Sequence, residues 1–425
     1  MNGCLIRGGR VIDPAVGRDA VGDVWMIDGR IVDGKVDGVQ ANEFDATGKI
    51  VCPGFIETQA TLQEPGWDDV ETIVSGTAAA VAGGVTSVAC LPETEPVVDN
   101  RAAVEFILQQ AVRSGTCHVF PLGAVTKNRF GEELAEIGQL VEGGAVALSD
   151  GKRAVANAEV MRRGLEYAKM FGCRIFHHPQ DPELVAGGVM HEGLYSTLLG
   201  LGGMPAEAEE ILVARDVALA ELTGGSLHLM TVSTAQSVEI IRRARERGVD
   251  VTASVTPHHL VLTDAELQTF DTQCKVDPPF RSREHVEALV AGLVDGTIEV
   301  ISSDHRPVPA EEKELEIDVA PFGIVGLETL LPLCIRALID SGRMEWSDLI
   351  SRLTCGPAKI LGLNKGSLAV GNDADVVVID PDVEWEINPA EFRSRCANTP
   401  FGGWQVRGRV ETVFVAGSPV YSIDR

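Results

Sequence analysis

The polar residues best placed for chemistry stand at the ends of short apolar runs. Those ends carry Gln59, Thr61, Glu93, Asp150, His178, Thr231 and Asp304. Asp150, His178 and Asp304 are of types that bind metals or move protons, whereas a neutral amide and a hydroxyl are poor zinc ligands. Gln59 and Thr61 lie two apart in PGFIETQATLQEPG. Residues i and i+2 of a strand face the same side, so both side chains point the same way. Other candidates read as structural. His177 packs on its strand, and His258 with His259 follows a strand in VTPHHLVLTD. Cys90 and Cys173 lie on apolar runs, where a buried cysteine serves as a small hydrophobe.

The elements that must position these residues alternate. Short β-branched apolar runs occur at 55–61, 85–91, 117–122, 144–149, 173–178, 226–233, 249–255 and 298–304. Helical stretches lie between or after them, including 70–84, 206–225 and 234–248. Strand–helix alternation of this length predicts an α/β fold, a parallel (β/α)8 TIM barrel spanning 54–360. A doubly wound open sheet is the alternative, but no GxGxxG follows the first barrel strand. Barrel sites form at the C-terminal strand ends, where the residues above stand. Residues 1–53 read instead as short strands with Gly and Asp turns, predicting hairpins. A similar texture returns near 366–381 and 406–421. Neither end is long enough to close a stable sheet alone, so 1–53 and 361–425 are expected to build one composite β-sandwich domain.

Bulk composition narrows the function. The chain has 425 residues, 45% hydrophobic and 23% charged, with a net charge of −26. That charge argues against nucleic acid or an anionic membrane as partner. Nine cysteines occur with no CxxC pair, which fits a reducing compartment rather than a disulfide framework. No run reaches membrane-spanning length and no signal segment opens the chain, so a cytoplasmic location is expected.

Several motifs together resemble the bacterial dihydroorotases of the amidohydrolase superfamily. They are AAAVAGGVTSVACLPETEPVVD (78–99), VTPHHLVLTD (255–264), KVDPPFR (275–281), DGTIEVISSDHRPVPAEEKE (295–314), APFGIVGLETLLPL (320–333) and ANTPFGGWQVRGRV (397–410). The resemblance implies closure of carbamoyl-aspartate to dihydroorotate, and the reverse, on two zinc ions that activate a hydroxide, with a strand-end aspartate as general acid/base.

Carried over residue by residue, the implied ligand set is mostly lost. The paired histidines of the first strand are Gln59 and Thr61. The family's aspartate pair has shrunk to ALSDGK, leaving Asp150 followed by Gly151. A later histidine is Thr231. His178 and Asp304 survive, Asp304 at the position of the proton shuttle. Implied substrate contacts have changed too: an arginine is Gln63, two asparagines are Glu93 and Asp277, and a histidine is Val308. Glu93 is expected to place a like charge against an anionic substrate.

The resemblance therefore implies a dihydroorotase homologue without catalysis, with no cofactor expected, His178 and Asp304 vestigial, and Asp150 a doubtful third ligand. Such chains act as structural or assembly subunits for the aspartate carbamoyltransferase catalytic subunit in pyrimidine biosynthesis, and a homo-oligomer is expected. The alternative is an active dihydroorotase, or a cyclic-amide hydrolase such as a hydantoinase or allantoinase, using zinc in an atypical site. A metabolite-sensing subunit is a third class.

Overall fold

The computed structural model describes residues 3–35 and 40–423. Eight parallel strands follow one another around one sheet in chain order: Phe55–Ala60, Val85–Cys90, His118–Gly123, Ala147–Leu148, Ile175–His177, Leu227–Leu229, Val251–Val255 and Val300–Ile301. Every sequence run assigned to the barrel overlaps one of them, and seven of the eight contain theirs whole. The sheet curls back on itself. Thr61 N donates to His305 O at 2.9 Å, and Ser303 N donates to Glu57 Oε2 at 2.7 Å, joining the first strand to the end of the eighth.

Two apolar layers hold this frame. Ile56, Ala89, Leu122, Ala147, Phe176, Met230 and Val300 fill the interior. The larger layer lies between strands and outer helices, where the small residues of Ile73–Ala82 let helix and sheet approach closely. That helix starts where it does because Thr72 caps it reciprocally with Ser75, satisfying donors the first turn leaves unpaired.

The chain ends join in a separate eight-stranded sheet. Val376–Ile379 pairs antiparallel with Ile50–Pro53, zipping the C-terminal strands onto the N-terminal ones. Buried Asp13 reinforces the join by accepting from Leu368 N at 2.7 Å and Ser367 Oγ at 3.0 Å. Gly3–Asp13 and Arg18–Ile27 pair antiparallel, as do Arg18–Ile27 and Arg30–Val32. The hairpin expected within 41–53 does not form. Ala41–Asp45 and Ile50–Pro53 both pair parallel with Gly3–Asp13, one after the other. The Asp45 carboxylate accepts from Thr47 N and Oγ1, at 3.0 and 2.6 Å, so the turn between them jogs the strand instead of reversing it.

Candidate functional site at the barrel mouth

Gln59, at the end of the first strand, is 1% exposed and reaches across the mouth. Its amide nitrogen donates to Thr231 Oγ1 beyond the sixth strand and to Asp304 Oδ1 beyond the eighth, the latter at 3.1 Å. Its amide oxygen accepts from Ser254 Oγ of the seventh strand at 3.1 Å. One amide thus ties four strand ends together. Gln63, Thr231 and Asp304 all have left-handed backbone, with φ of +62°, +50° and +49°. Non-glycine residues adopt it at a cost of about 1–2 kcal/mol, a strain that concentrates at functional strand ends.

The second Asp304 oxygen accepts from Lys152 Nζ at 2.7 Å, and that ammonium also donates to Asp277 O at 2.8 Å. Both side chains of the pair are only 9% exposed, so water screens it weakly. His178 is engaged elsewhere. Its Nε2 lies 3.3 Å from Gln180 Oε1 and 3.4 Å from Asp277 Oδ1, while its buried Nδ1 has no partner. The His178 imidazole holds the Asp277 carboxyl down at about 2 against the upward push of burial.

Asp150, the doubtful third ligand of the sequence reading, is held by backbone and hydroxyl donors. Its carboxylate accepts from Val125 N at 2.8 Å, Thr126 N at 3.0 Å and Thr126 Oγ1, which pins the loop after the third strand. Gly151 sits in left-handed backbone at φ +62°, and a Cβ there would meet Glu93 Oε1 at 2.4 Å. A carboxylate at that place would force the Glu93 side chain to move.

Glu93 also departs from expectation. It is not a bare charge, because Arg129 Nη2 donates to it at 2.7 Å, Lys152 N at 2.8 Å and Arg306 Nη1 at 2.5 Å. Burial alone would raise its pKa, but the two guanidiniums outweigh this and bring it to about 2. Thr61 is buried where the barrel closes, and Val308 is buried with its N–H on Asn398 Oδ1 at 3.0 Å. Gln63 lines a cavity of about 750 Å³ over the mouth, beside Glu93, Lys152, Asp277 and Arg306.

Other histidines hold structure. His177 Nε2 accepts from Val155 N at 2.9 Å, with Nδ1 2.6 Å from Asp216. His259 bridges Thr256 and Pro278 O, and burial lowers its pKa to about 3, which keeps it neutral. Away from the mouth, His118, Asp373 and Asp375 are the only described residues grouped closely enough to suggest a metal. Lys365 Nζ stands on both carboxylates there, at 2.9 and 2.8 Å.

Sequence reasoning missed the cations Arg129, Lys152, Arg153 and Arg306. The available signal was position: each stands within a few residues of a barrel strand end. The donor chemistry does not fit the zinc pair that the resemblance implies. Both Asp304 oxygens face hydrogen-bond donors, an amide N–H₂ and an ammonium, and His178 points to other partners. A cation at Asp304 would have to displace Lys152.

Comparison with known proteins agrees with this architecture. A family profile described as Dihydro-orotase-like matches residues 48–237. A protein named Dihydroorotase from Pelotomaculum thermopropionicum is 48% identical over 98% of both chains. One of the same name from Geobacter sp. (strain M21) is 47% identical over 98% of this chain and 99% of its own. Among solved structures, L-hydantoinase from Arthrobacter aurescens superposes with a TM-score of 0.89 at 24% identity, covering 99% of this chain and 96% of its own. Dihydropyrimidinase from Brevibacillus agri gives 0.86 at 24%, covering 99% and 95%. At that identity the structures speak for the fold alone, a TIM barrel with a separate sheet from the chain ends. The names of the sequence relatives speak more for a working enzyme than for a structural subunit.

Proposed function

This chain belongs to the dihydroorotase-like family, and we propose that it is a non-hydrolytic member serving pyrimidine biosynthesis as a structural partner of the aspartate carbamoyltransferase catalytic subunit. The observation that carries the first half is the state of Asp304. The residue that would shuttle a proton has both oxygens bonded, to the Gln59 amide and the Lys152 ammonium. A water-activating metal needs anionic or imidazole donors free to face it, and the groups on Asp304 are instead an amide, itself held by the Thr231 and Ser254 hydroxyls, and a lysine. The partner follows from the resemblance and from a whole barrel frame kept around that mouth.

The second reading is an active dihydroorotase, favoured by the names of relatives 43–48% identical across nearly the whole chain. On that reading Lys152 must leave Asp304 when substrate or metal arrives. Purified full-length chain, assayed for dihydroorotase turnover in both directions with and without added zinc, separates the two. The non-hydrolytic reading expects no turnover, together with co-elution and higher transferase activity when the transferase chain is co-expressed. Turnover that follows the protein and disappears in Asp304→Ala establishes the second reading. A transferase that assembles and works fully alone, never co-eluting with this chain, removes the partnership.

A further inference from the structure

A cleft of about 450 Å³ lies outside the barrel, between the end sheet and the barrel helices. It shares no lining residue with the mouth cavity. Glu328, just before the helix Leu330–Cys334, lines it together with Trp385, Arg409 and Tyr421 of the end sheet. Glu328 Oε1 accepts from Arg393 N at 2.7 Å and from Ser394 N at 3.3 Å. Among the described residues its Oε2 has no hydrogen-bond partner, and no cationic side chain lies within ion-pair distance of it. Burial pushes this carboxyl up to about 7, outweighing the pull of the two N–H groups. A carboxylate so placed is short of a cation.

The opposite charge stands in the same cleft without meeting it. The partly buried Arg409 guanidinium lies 4.4 Å from the Trp385 ring centre, and Trp385 is itself fixed by Nε1 donating to Gly408 O at 3.0 Å. Among the described residues no carboxylate lies within ion-pair distance of Arg409. Burial raises the Tyr421 pKa, Arg409 lowers it and Glu328 raises it, so the phenol is within electrostatic reach of both. Exposed Glu391 and Arg393 add one charge of each sign at the rim, and Glu391 already accepts from Asn388 Nδ2 at 2.9 Å. The cleft is therefore balanced in charge but leaves its inner pair apart. That suits a ligand of no net charge that carries both signs, since each partly desolvated group then gains a charge-assisted bond. The apolar side chains of Leu331, Phe392 and Val410 complete the lining and favour an apolar substituent.

We propose that this cleft binds a free α-amino acid with an apolar side chain, its carboxylate on Arg409 and its ammonium on Glu328. This goes beyond the functional reading above and does not depend on it. Calorimetric titration of the full chain with L-leucine, L-leucinamide and isocaproate tests it. The amide lacks the carboxylate and isocaproate lacks the amine, so each removes one of the two contacts. Leucine should bind saturably by millimolar concentration, and both analogues should bind about tenfold more weakly or worse. Arg409→Gln and Glu328→Gln should each weaken leucine by about tenfold, with circular dichroism confirming that the variants fold. Glu328→Gln keeps an oxygen to accept from Arg393 N and Ser394 N. The analogue series on the parent chain reads the same two contacts without any variant. Absence of saturable leucine binding overturns the proposal. So does either analogue binding as tightly as leucine, or an unchanged leucine affinity in either folded variant.

Discussion

Replacing Lys152 with methionine removes the ammonium from Asp304 while keeping most of the stem's apolar volume. In the native chain that ammonium is 2.7 Å from Asp304 Oδ2 and 2.8 Å from Asp277 O, and the ion pair is 9% exposed on each side. After substitution Asp304 keeps only the Gln59 amide at 3.1 Å. Breaking a buried pair from one side costs about 3–5 kcal/mol, because the remaining charge loses its partner but not its burial. The cost should fall near the lower end, since Gln59 still donates. With an unfolding entropy of about 2.1 cal/mol/K per residue, a loss of about 3–5 kcal/mol lowers Tm by about 3–6 °C in a chain this long. Thermal unfolding followed by circular dichroism reads this. The double variant Lys152→Met/Asp304→Asn removes the stranded charge and should recover most of the loss, giving a coupling energy of about 2 kcal/mol or more. A Lys152→Met chain as stable as the parent, or a double variant no better than the single, would mean that the pair does not organise the mouth.

Three further outcomes follow from the same geometry. Gly151→Asp should destabilise by about 2 kcal/mol or more and weaken the Glu93 cluster, since its Cβ would meet Glu93 Oε1 at 2.4 Å in left-handed backbone; a denaturant midpoint equal to the parent's contradicts this. Glu93, brought from 4.5 to about 2, stabilises the fold above its unfolded pKa, and this is lost as pH falls towards 2. Glu93→Gln should therefore be less stable near neutrality and lose less stability between about pH 4.5 and 2, as acid titration of Tm reads out. Gln59→His/Thr61→His/Thr231→His should gain little zinc by elemental analysis until Lys152→Ala is added, and stoichiometric zinc in the triple variant alone would show that Lys152 does not guard Asp304.

The sequence by itself determined the frame and the donor chemistry at the strand ends. Apolar strand runs separated by helical stretches specify a parallel barrel because burial on both faces demands them, and each run overlaps an observed strand. Gln59, Thr61 and Thr231 were legible as poor ligands because donor chemistry belongs to the side chain wherever it lies. How those strand-end side chains pair was decided only in three dimensions. Lys152 and Asp304 are 152 residues apart in the chain, and Arg306 and Glu93 are 213 apart. Neither pairing has a local signature, because an ion pair depends on a distance of a few ångströms and not on sequence spacing. The same holds for the jog at residues 45–49, where the choice between reversing and continuing alongside Gly3–Asp13 rests on tertiary strand pairing. Glu93 shows the consequence most directly. Read along the chain it is an added negative charge, but folding brings two guanidiniums onto it from distant loops.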